Sequence, residues 1–392
     1  MFSRRTNWKL TPNHFTEAQR EIAGARREVL DLTISNPTRA GLRYDEESIL
    51  KSLANPKALD YDPQSKGLPC AREAVATYYR DRNALEIDPE SLVLTTSTSE
   101  GYSYVFRLLC NPSDEVLVPK PSYPLFEFLA DLQDVKLVPY PLIYDHGWQL
   151  DFPSIHEAVT DQTRAVVVVH PNNPTGSYVS EAERSALCEL CRERKLSLIV
   201  DEVFLDYAQD GMPRRTFAAN HDTLTFTLSG LSKISGLPQM KMAWVATSGP
   251  KDKAKEKVNA ALARLEVIAD TYLSMSTPIQ LATPVLLEQR KHLQPQLLNR
   301  LRTNLKELDR QLESQKNCER LDVEGGWYAV LRVPVTRSDE DLAIDILRKL
   351  SVLVHPGHFY DFPSDGYLVV SLITPTEDFG QGIGRVLELL NP

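Results

Sequence analysis

The chain has 392 residues, 42% of them hydrophobic and 25% charged, with a formal net charge of -9. This is ordinary globular composition, and the length favours more than one structural unit. The acidic balance, with no long basic runs, argues against nucleic acid or an anionic membrane as the main partner. Arg4 and Arg5 have no apolar stretch behind them, so no signal peptide is expected. No apolar run approaches the roughly 20 residues of a membrane span. The five cysteines are odd in number and scattered, which suits reduced thiols and a cytoplasmic location.

In chain order, Asn13 is placed to cap a first helix over 14–28, and 31–34 reads as a short strand before the loop Ser35-Asn36-Pro37-Thr38. From about residue 70, apolar stretches alternate with helical patterns; they lie at 92–95, 115–118, 136–140, 165–169, 196–200, 224–228 and 242–246. That alternation predicts a mainly parallel sheet covered by helices on both faces. Residues 251–313 read as long helices. After them, 325–331 and 367–372 read as strands with a helix over 339–350 between, the pattern of a smaller α+β unit. Cys188-Glu189-Leu190-Cys191 has redox-pair spacing, but it falls inside an amphipathic helix pattern with no second pair to complete a metal site. Both cysteines are read as helix-face residues, and no metal site is indicated.

Three polar residues stand at or just past the ends of apolar runs. Asn173 lies in His170-Pro171-Asn172-Asn173-Pro174-Thr175-Gly176, Asp201 in Leu198-Ile199-Val200-Asp201-Glu202-Val203, and Lys233 in Leu228-Ser229-Gly230-Leu231-Ser232-Lys233. A lysine can form a Schiff base, an acid can pair with a pyridinium nitrogen, and an amide can bond a phenolate oxygen. Together these are what pyridoxal phosphate (PLP) requires of a protein.

Further landmarks are Tyr61 with Gly67, Thr96 to Gly101, Pro121-Ser122-Tyr123-Pro124 and Gly366-Tyr367-Leu368. With these in order, almost the whole chain resembles the class I/II aminotransferases, the large fold-type I group of PLP enzymes. The resemblance implies an α/β fold with a large PLP-binding domain, 46–285, carrying a mainly parallel seven-stranded sheet. It implies a small α+β domain formed by both termini, 1–45 and 286–392. Lys233 should hold the cofactor and move the proton, and Asp201 should stay ionised against the ring nitrogen. Asn173 should donate to the phenolate oxygen, and Tyr123 should stack on the ring. Backbone N–H groups of Thr98 and Ser99, before a helix beginning near Glu100, should face the phosphate, where the helix dipole favours an anion. Ser232 and Lys241 resemble the remaining phosphate ligands. Tyr61 matches a tyrosine that reaches the neighbouring subunit's phosphate, which implies a homodimer with shared sites.

The chain departs from the family pattern at four places. Phe204 stands where a tyrosine hydroxyl would bond the phenolate oxygen. Lys241 replaces an arginine, a point charge in place of a planar fork. Gly230 stands where serine is frequent. Val369 aligns with the arginine that clamps the substrate α-carboxylate. Arg39 and Arg43, after the loop that lines the substrate entrance in the family, and His358, in His355-Pro356-Gly357-His358-Phe359, are the candidates to replace it. The leading expectation is a PLP-dependent aminotransferase of amino acid metabolism, moving an amino group from a small donor to a keto or aldehyde acceptor. The alternatives are other PLP chemistry (decarboxylase, racemase or lyase) and a non-enzymatic PLP-binding sensor.

Overall fold

The valine- and leucine-rich runs become strands buried on both faces. In the computed structural model, which describes residues 1–124, 126–251 and 255–390, Ala165, Val167 and Val169 join one apolar cluster while Val166 and Val168 join another on the opposite face. Period-two alternation with no polar side is the mark of a central parallel strand. The large sheet has eight strands, in the order Leu92–Thr95, Ala243–Ser248, Thr225–Gly230, Ser197–Asp201, Thr163–Val169, Glu115–Lys120, Lys136–Tyr144 and Trp148–Leu150. The strands from Thr225–Gly230 to Lys136–Tyr144 run parallel. Ala243–Ser248 pairs antiparallel on both of its sides, and Trp148–Leu150 pairs antiparallel at the far edge. Seven of these strands are those expected from the sequence. The eighth, Trp148–Leu150, is a half-exposed edge piece too short to print a pattern.

Helices Thr98–Leu109, Phe126–Leu132 and Lys255–Tyr272 cover one face through Tyr102, Phe106, Phe126, Ala261 and Leu265. Glu181–Arg194, Pro69–Asn83 and Thr277–Glu288 cover the other. Each fully buried leucine or valine in these clusters is worth about 1.5–3 kcal/mol. Cys188 and Cys191 lie buried on Glu181–Arg194 as free thiols.

A second sheet has four antiparallel strands, in the order Glu319–Arg320, Tyr328–Arg332, Tyr367–Ser371 and His355–Pro356. Its apolar cluster joins Phe15, Ala18 and Ile22 of helix His14–Gly24 to Leu297 and Leu301 of Arg290–Leu312, Ile346 of Asp339–Leu350 and Phe379 of Thr376–Leu390. Leu30–Asp31 pairs parallel with Val352–Leu353. Both ends of the chain are therefore packed in one core.

The boundary differences have local causes. Asn13 caps the first helix by accepting from the Thr16 N–H, but the helix stops at Gly24, and Arg26 is left-handed at φ 52°. The first strand ends at Asp31, whose carboxylate turns onto the N–H and hydroxyl of Thr33. The strand expected from 325 begins at Tyr328, because Gly326 takes φ 76°. Among the described residues, no helix is long and apolar enough to cross a membrane.

Candidate active site

A cavity of about 200 Å³ opens beyond the carboxyl ends of the parallel strands, where open α/β sheets place their ligands. Asp201 ends the strand Ser197–Asp201, and Asn173 follows Thr163–Val169. Ser232 and Lys233 follow Thr225–Gly230 in the short helix Leu231–Ile234. All four line the cavity with Tyr123, Thr98 and Ser99.

Asp201 Oδ1 accepts from the Val203 N–H at 3.0 Å, and Oδ2 accepts from the Tyr102 hydroxyl at 3.3 Å. Burial pushes this carboxyl up to about 6, against the pull of those two donors and of the Lys233 charge. Burial likewise pushes Lys233 down to about 8, opposed by Asp201. The Lys233 Nζ lies 4.7 Å from the centre of the Trp327 ring and 5.3 Å from that of Phe204, and donates to the Ser35 carbonyl at 3.4 Å. Its backbone carbonyl accepts from the Tyr207 hydroxyl at 2.6 Å.

The two adjacent asparagines divide the work. Asn172 ties its turn to the next loop, donating to the Pro121 carbonyl at 3.0 Å and accepting from the Ser122 hydroxyl at 3.1 Å. Asn173 keeps a buried side-chain oxygen with no partner among the described residues. In helix Thr98–Leu109, Ser97 is the cap and accepts from the Glu100 N–H, while the Gly101 N–H bonds the Ser97 carbonyl. The helix thus starts at Thr98, earlier than expected. The N–H groups of Thr98 and Ser99 have no intrahelical acceptor. An amine, a carboxylate, an amide whose NH₂ can donate and a helix start suit the aldehyde, ring nitrogen, ring oxygen and phosphate of PLP.

The family profile "Aminotransferase class I and II" matches residues 27–378. The chain belongs to that family. A glutamate–pyruvate aminotransferase of Haemophilus influenzae is 30% identical over 357 residues, 88% of this chain and 86% of that protein. An alanine aminotransferase of Mycobacterium tuberculosis is 28% identical over 386 residues, 96% of this chain and 88% of that one. An aminotransferase structure from Escherichia coli superposes with a TM-score of 0.86 at 25% identity, covering 100% of this chain and 98% of that one. The alanine aminotransferase of Pyrococcus furiosus has the same fold, with a TM-score of 0.88 at 23% identity and 100% of both chains covered. The protein is a PLP-dependent transaminase that moves an amino group between an amino donor and a keto or aldehyde acceptor.

Five residues singled out from the sequence lie outside the cavity of this enzyme. Lys241 is exposed and left-handed at φ 49°. Tyr61 is 82% exposed and borders a separate hollow with Tyr104 and Ser274. Arg39 is exposed in the turn Pro37–Arg39. Arg43 bonds Gln296 through its backbone, with its side chain exposed. His358 is exposed against the ring of Phe359, 4.7 Å away.

The departures have visible causes or consequences. Phe204 lines the cavity edge-on to Trp327, 5.2 Å away. A Cβ on Gly230 would already sit 2.9 Å from the Met242 carbonyl oxygen, so close strand approach excludes serine there. Val369 is fully buried in the small core, paired with Val330 and His355.

Sequence reasoning missed Tyr102, Ser35 and Tyr328, which also line the cavity. Tyr102 had a signal, since it falls one helical turn after Thr98. Tyr328 had none, because tertiary packing alone brings it there, while Ser35 lies in the loop that the family resemblance puts at the substrate entrance. Tyr328 follows a seam between the two sheets. The Gly325 N–H donates to the Gly176 carbonyl at 2.9 Å, the Gly326 N–H to Tyr207 at 3.0 Å, and the Gln209 N–H to Glu324 at 2.8 Å. A Cβ on Gly176 would lie 2.5 Å from the Gly325 oxygen, so this contact needs glycine. Across the cavity, the Ser122 N–H donates to the Tyr360 carbonyl at 2.9 Å and Lys120 pairs with Asp361 at 3.0 Å.

Proposed function

We propose that Lys233 carries the cofactor and moves the reacting proton, that Asp201 holds the ring nitrogen in its charged form, and that Asn173 donates to the ring oxygen. Tyr123 packs on the ring face, and the helix start at Thr98 and Ser99 receives the phosphate together with Ser232. The supporting observation is that three groups meet in one cavity: a lysine of lowered basicity, a carboxylate facing it and the buried amide of Asn173. When bound, PLP supplies a carbon that joins to an amine and a cationic ring that takes up electrons. A lysine near 8 is partly uncharged at neutral pH, so its Nζ can act as nucleophile and as proton acceptor. Nζ takes the proton from the donor's α-carbon and redelivers it one carbon further along. Asp201, kept ionised, makes the release of that proton less costly.

The donor in this reading is not held through an α-carboxylate fork. Among the described residues that line the cavity, Lys233 is the one cation, and it is committed to the cofactor. Val369 offers no charge. Each lost charge-assisted hydrogen bond is worth about 1.5–3 kcal/mol. The donor is therefore an amine, or an amino acid gripped by another group. Here the reading parts from the names of the relatives, which specify glutamate, pyruvate and alanine. The test is to add donors with and without an α-carboxylate to the holoenzyme and follow stoichiometric conversion of the cofactor to its amine form. Efficient conversion by alanine or aspartate, unaffected by Arg39→Ala and Arg43→Ala, would sink the reading.

The same reading makes the enzyme a cytoplasmic homodimer of amino acid metabolism, with a large unit over 46–285 and a small one from both termini. The exposed Tyr61 supports the dimer, since within its own chain it lies outside the cavity. Sedimentation that finds a fully active monomer would refute the shared site.

A further inference from the structure

We propose that Tyr102 is a positioning residue for Asp201, its hydroxyl holding the carboxylate in the orientation that the ring nitrogen requires. The inference rests on the reading of Asp201 given above. Tyr102 is buried on helix Thr98–Leu109, edge-on to Phe126 with ring centres 5.3 Å apart and tilted against Phe106 at 5.9 Å. Those contacts fix the ring and leave one polar atom to place. That atom, the hydroxyl, meets Asp201 Oδ2 at 3.3 Å and has no other partner among the described residues.

The opposite carboxylate oxygen, Oδ1, is held by the Val203 N–H. One donor on each oxygen fixes the plane of the carboxylate, which a single bond would leave free to turn. Each oxygen still has a lone pair for the cavity. A hydroxyl can reach this strand end because the helix presses close to the sheet. At Gly101, the residue before, a Cβ would lie 2.9 Å from Leu228 Cδ2 and 3.1 Å from Val245 Cγ2.

Three titratable groups face Asp201 from separate elements. They are Tyr102 from its helix, Lys233 beyond Thr225–Gly230, and Tyr123 beyond Glu115–Lys120. Of these, the Tyr102 hydroxyl and the Lys233 charge favour the ionised carboxylate. Removing the hydroxyl leaves the lysine in place, so Asp201 stays chargeable but titrates at higher pH.

The test is the affinity of the full-length apoprotein for PLP across pH, comparing wild type, Tyr102→Phe, Asp201→Asn and Phe106→Leu. Tyr102→Phe is expected to weaken binding about tenfold near pH 6.5 and less than about threefold near pH 9. The gap narrows because Asp201 is ionised in both proteins at high pH. Phe106→Leu removes ring packing but no hydroxyl, so any loss it causes should be the same at every pH. A Tyr102→Phe deficit that is absent, or that does not vary with pH, overturns the proposal. Wild-type affinity in Asp201→Asn overturns instead the reading of Asp201 on which it rests.

Discussion

The two walls of the cavity are built in different ways. One is the carboxyl edge of the large sheet, where Asp201, Asn173 and Lys233 each sit at or shortly after a buried strand. The other is assembled from Ser35, in a loop near the start of the chain, and Tyr328, in the small sheet. Side chains on the first wall inherit their positions from strands packed on both faces, a rigid frame that loops do not share. On the second wall, position depends on how the two ends of the chain pack together. On the proposed reading, the reaction chemistry is anchored in the strand frame, while the donor faces a wall placed only by long-range packing.

The largest test of this contrast is Lys233→Ala. Turnover should fall by at least about 10³-fold, since nucleophile and proton carrier are lost together. Cofactor should still bind through Asp201, Asn173 and the phosphate contacts, but without a covalent bond. Borohydride reduction and peptide mapping of the unmutated enzyme should place the label on Lys233. Label on Lys241 would move the chemistry off the sheet wall altogether.

Phe204→Tyr sharpens the comparison at the point where the walls meet. A restored hydroxyl near the ring oxygen should stabilise the deprotonated form of the bound cofactor. The pH midpoint of its visible absorbance should drop by about one unit. A midpoint that stays or rises would mean that this side chain points away from the ring, against the position of Phe204 on the cavity wall.

A smaller effect concerns the cost of the rigid wall. Asp201 titrates at about 6 in the fold, above an ordinary 3.8, because burial penalises its charge. The folded apoprotein is therefore destabilised by this group above pH 6, and the penalty disappears as pH falls below about 4. Asp201→Asn should raise the apoprotein Tm by about 2 °C at neutral pH while weakening cofactor binding. An unchanged or lower Tm at neutral pH, measured by scanning calorimetry, would show that the carboxylate carries no such strain.

The smallest effect is expected on the loop side. Arg39→Ala and Arg43→Ala should change KM by less than about twofold for donors with or without an α-carboxylate, as exposed side chains commonly do. A rise confined to carboxylate donors would restore one of them as the clamp.

Legibility from sequence follows the same division. The seven main strands could be read because each is a largely apolar run between helical patterns, and the residues at their ends inherited a place in the site. The edge strand Trp148–Leu150 could not be read, since three half-exposed residues carry no period. Tyr102 falls one turn after Thr98, but beside Tyr104 and Phe106 on the buried side of its helix it reads as one more packed ring. Lys241 and Tyr61 could be placed by family resemblance, yet neither borders the cavity within one chain. Tyr328 had no local signal, because only long-range packing brings it to the cavity.

The glycine seam at Gly176 and Gly325 bears on motion as well as shape. The backbone bonds of residues 324–326 to the large sheet lie directly before Trp327 and Tyr328. A rigid swing of the small sheet either breaks these bonds or turns about them as a hinge. In the second case Tyr328, beside the axis, barely moves. His355–Pro356, two strands away across the small sheet, travels furthest. The Ser122–Tyr360 bond and the Lys120–Asp361 pair then serve as the latch. Within this latch, opening breaks one backbone bond and one half-exposed ion pair, the latter worth little in water, while the Trp327 and Phe204 rings stay around Lys233.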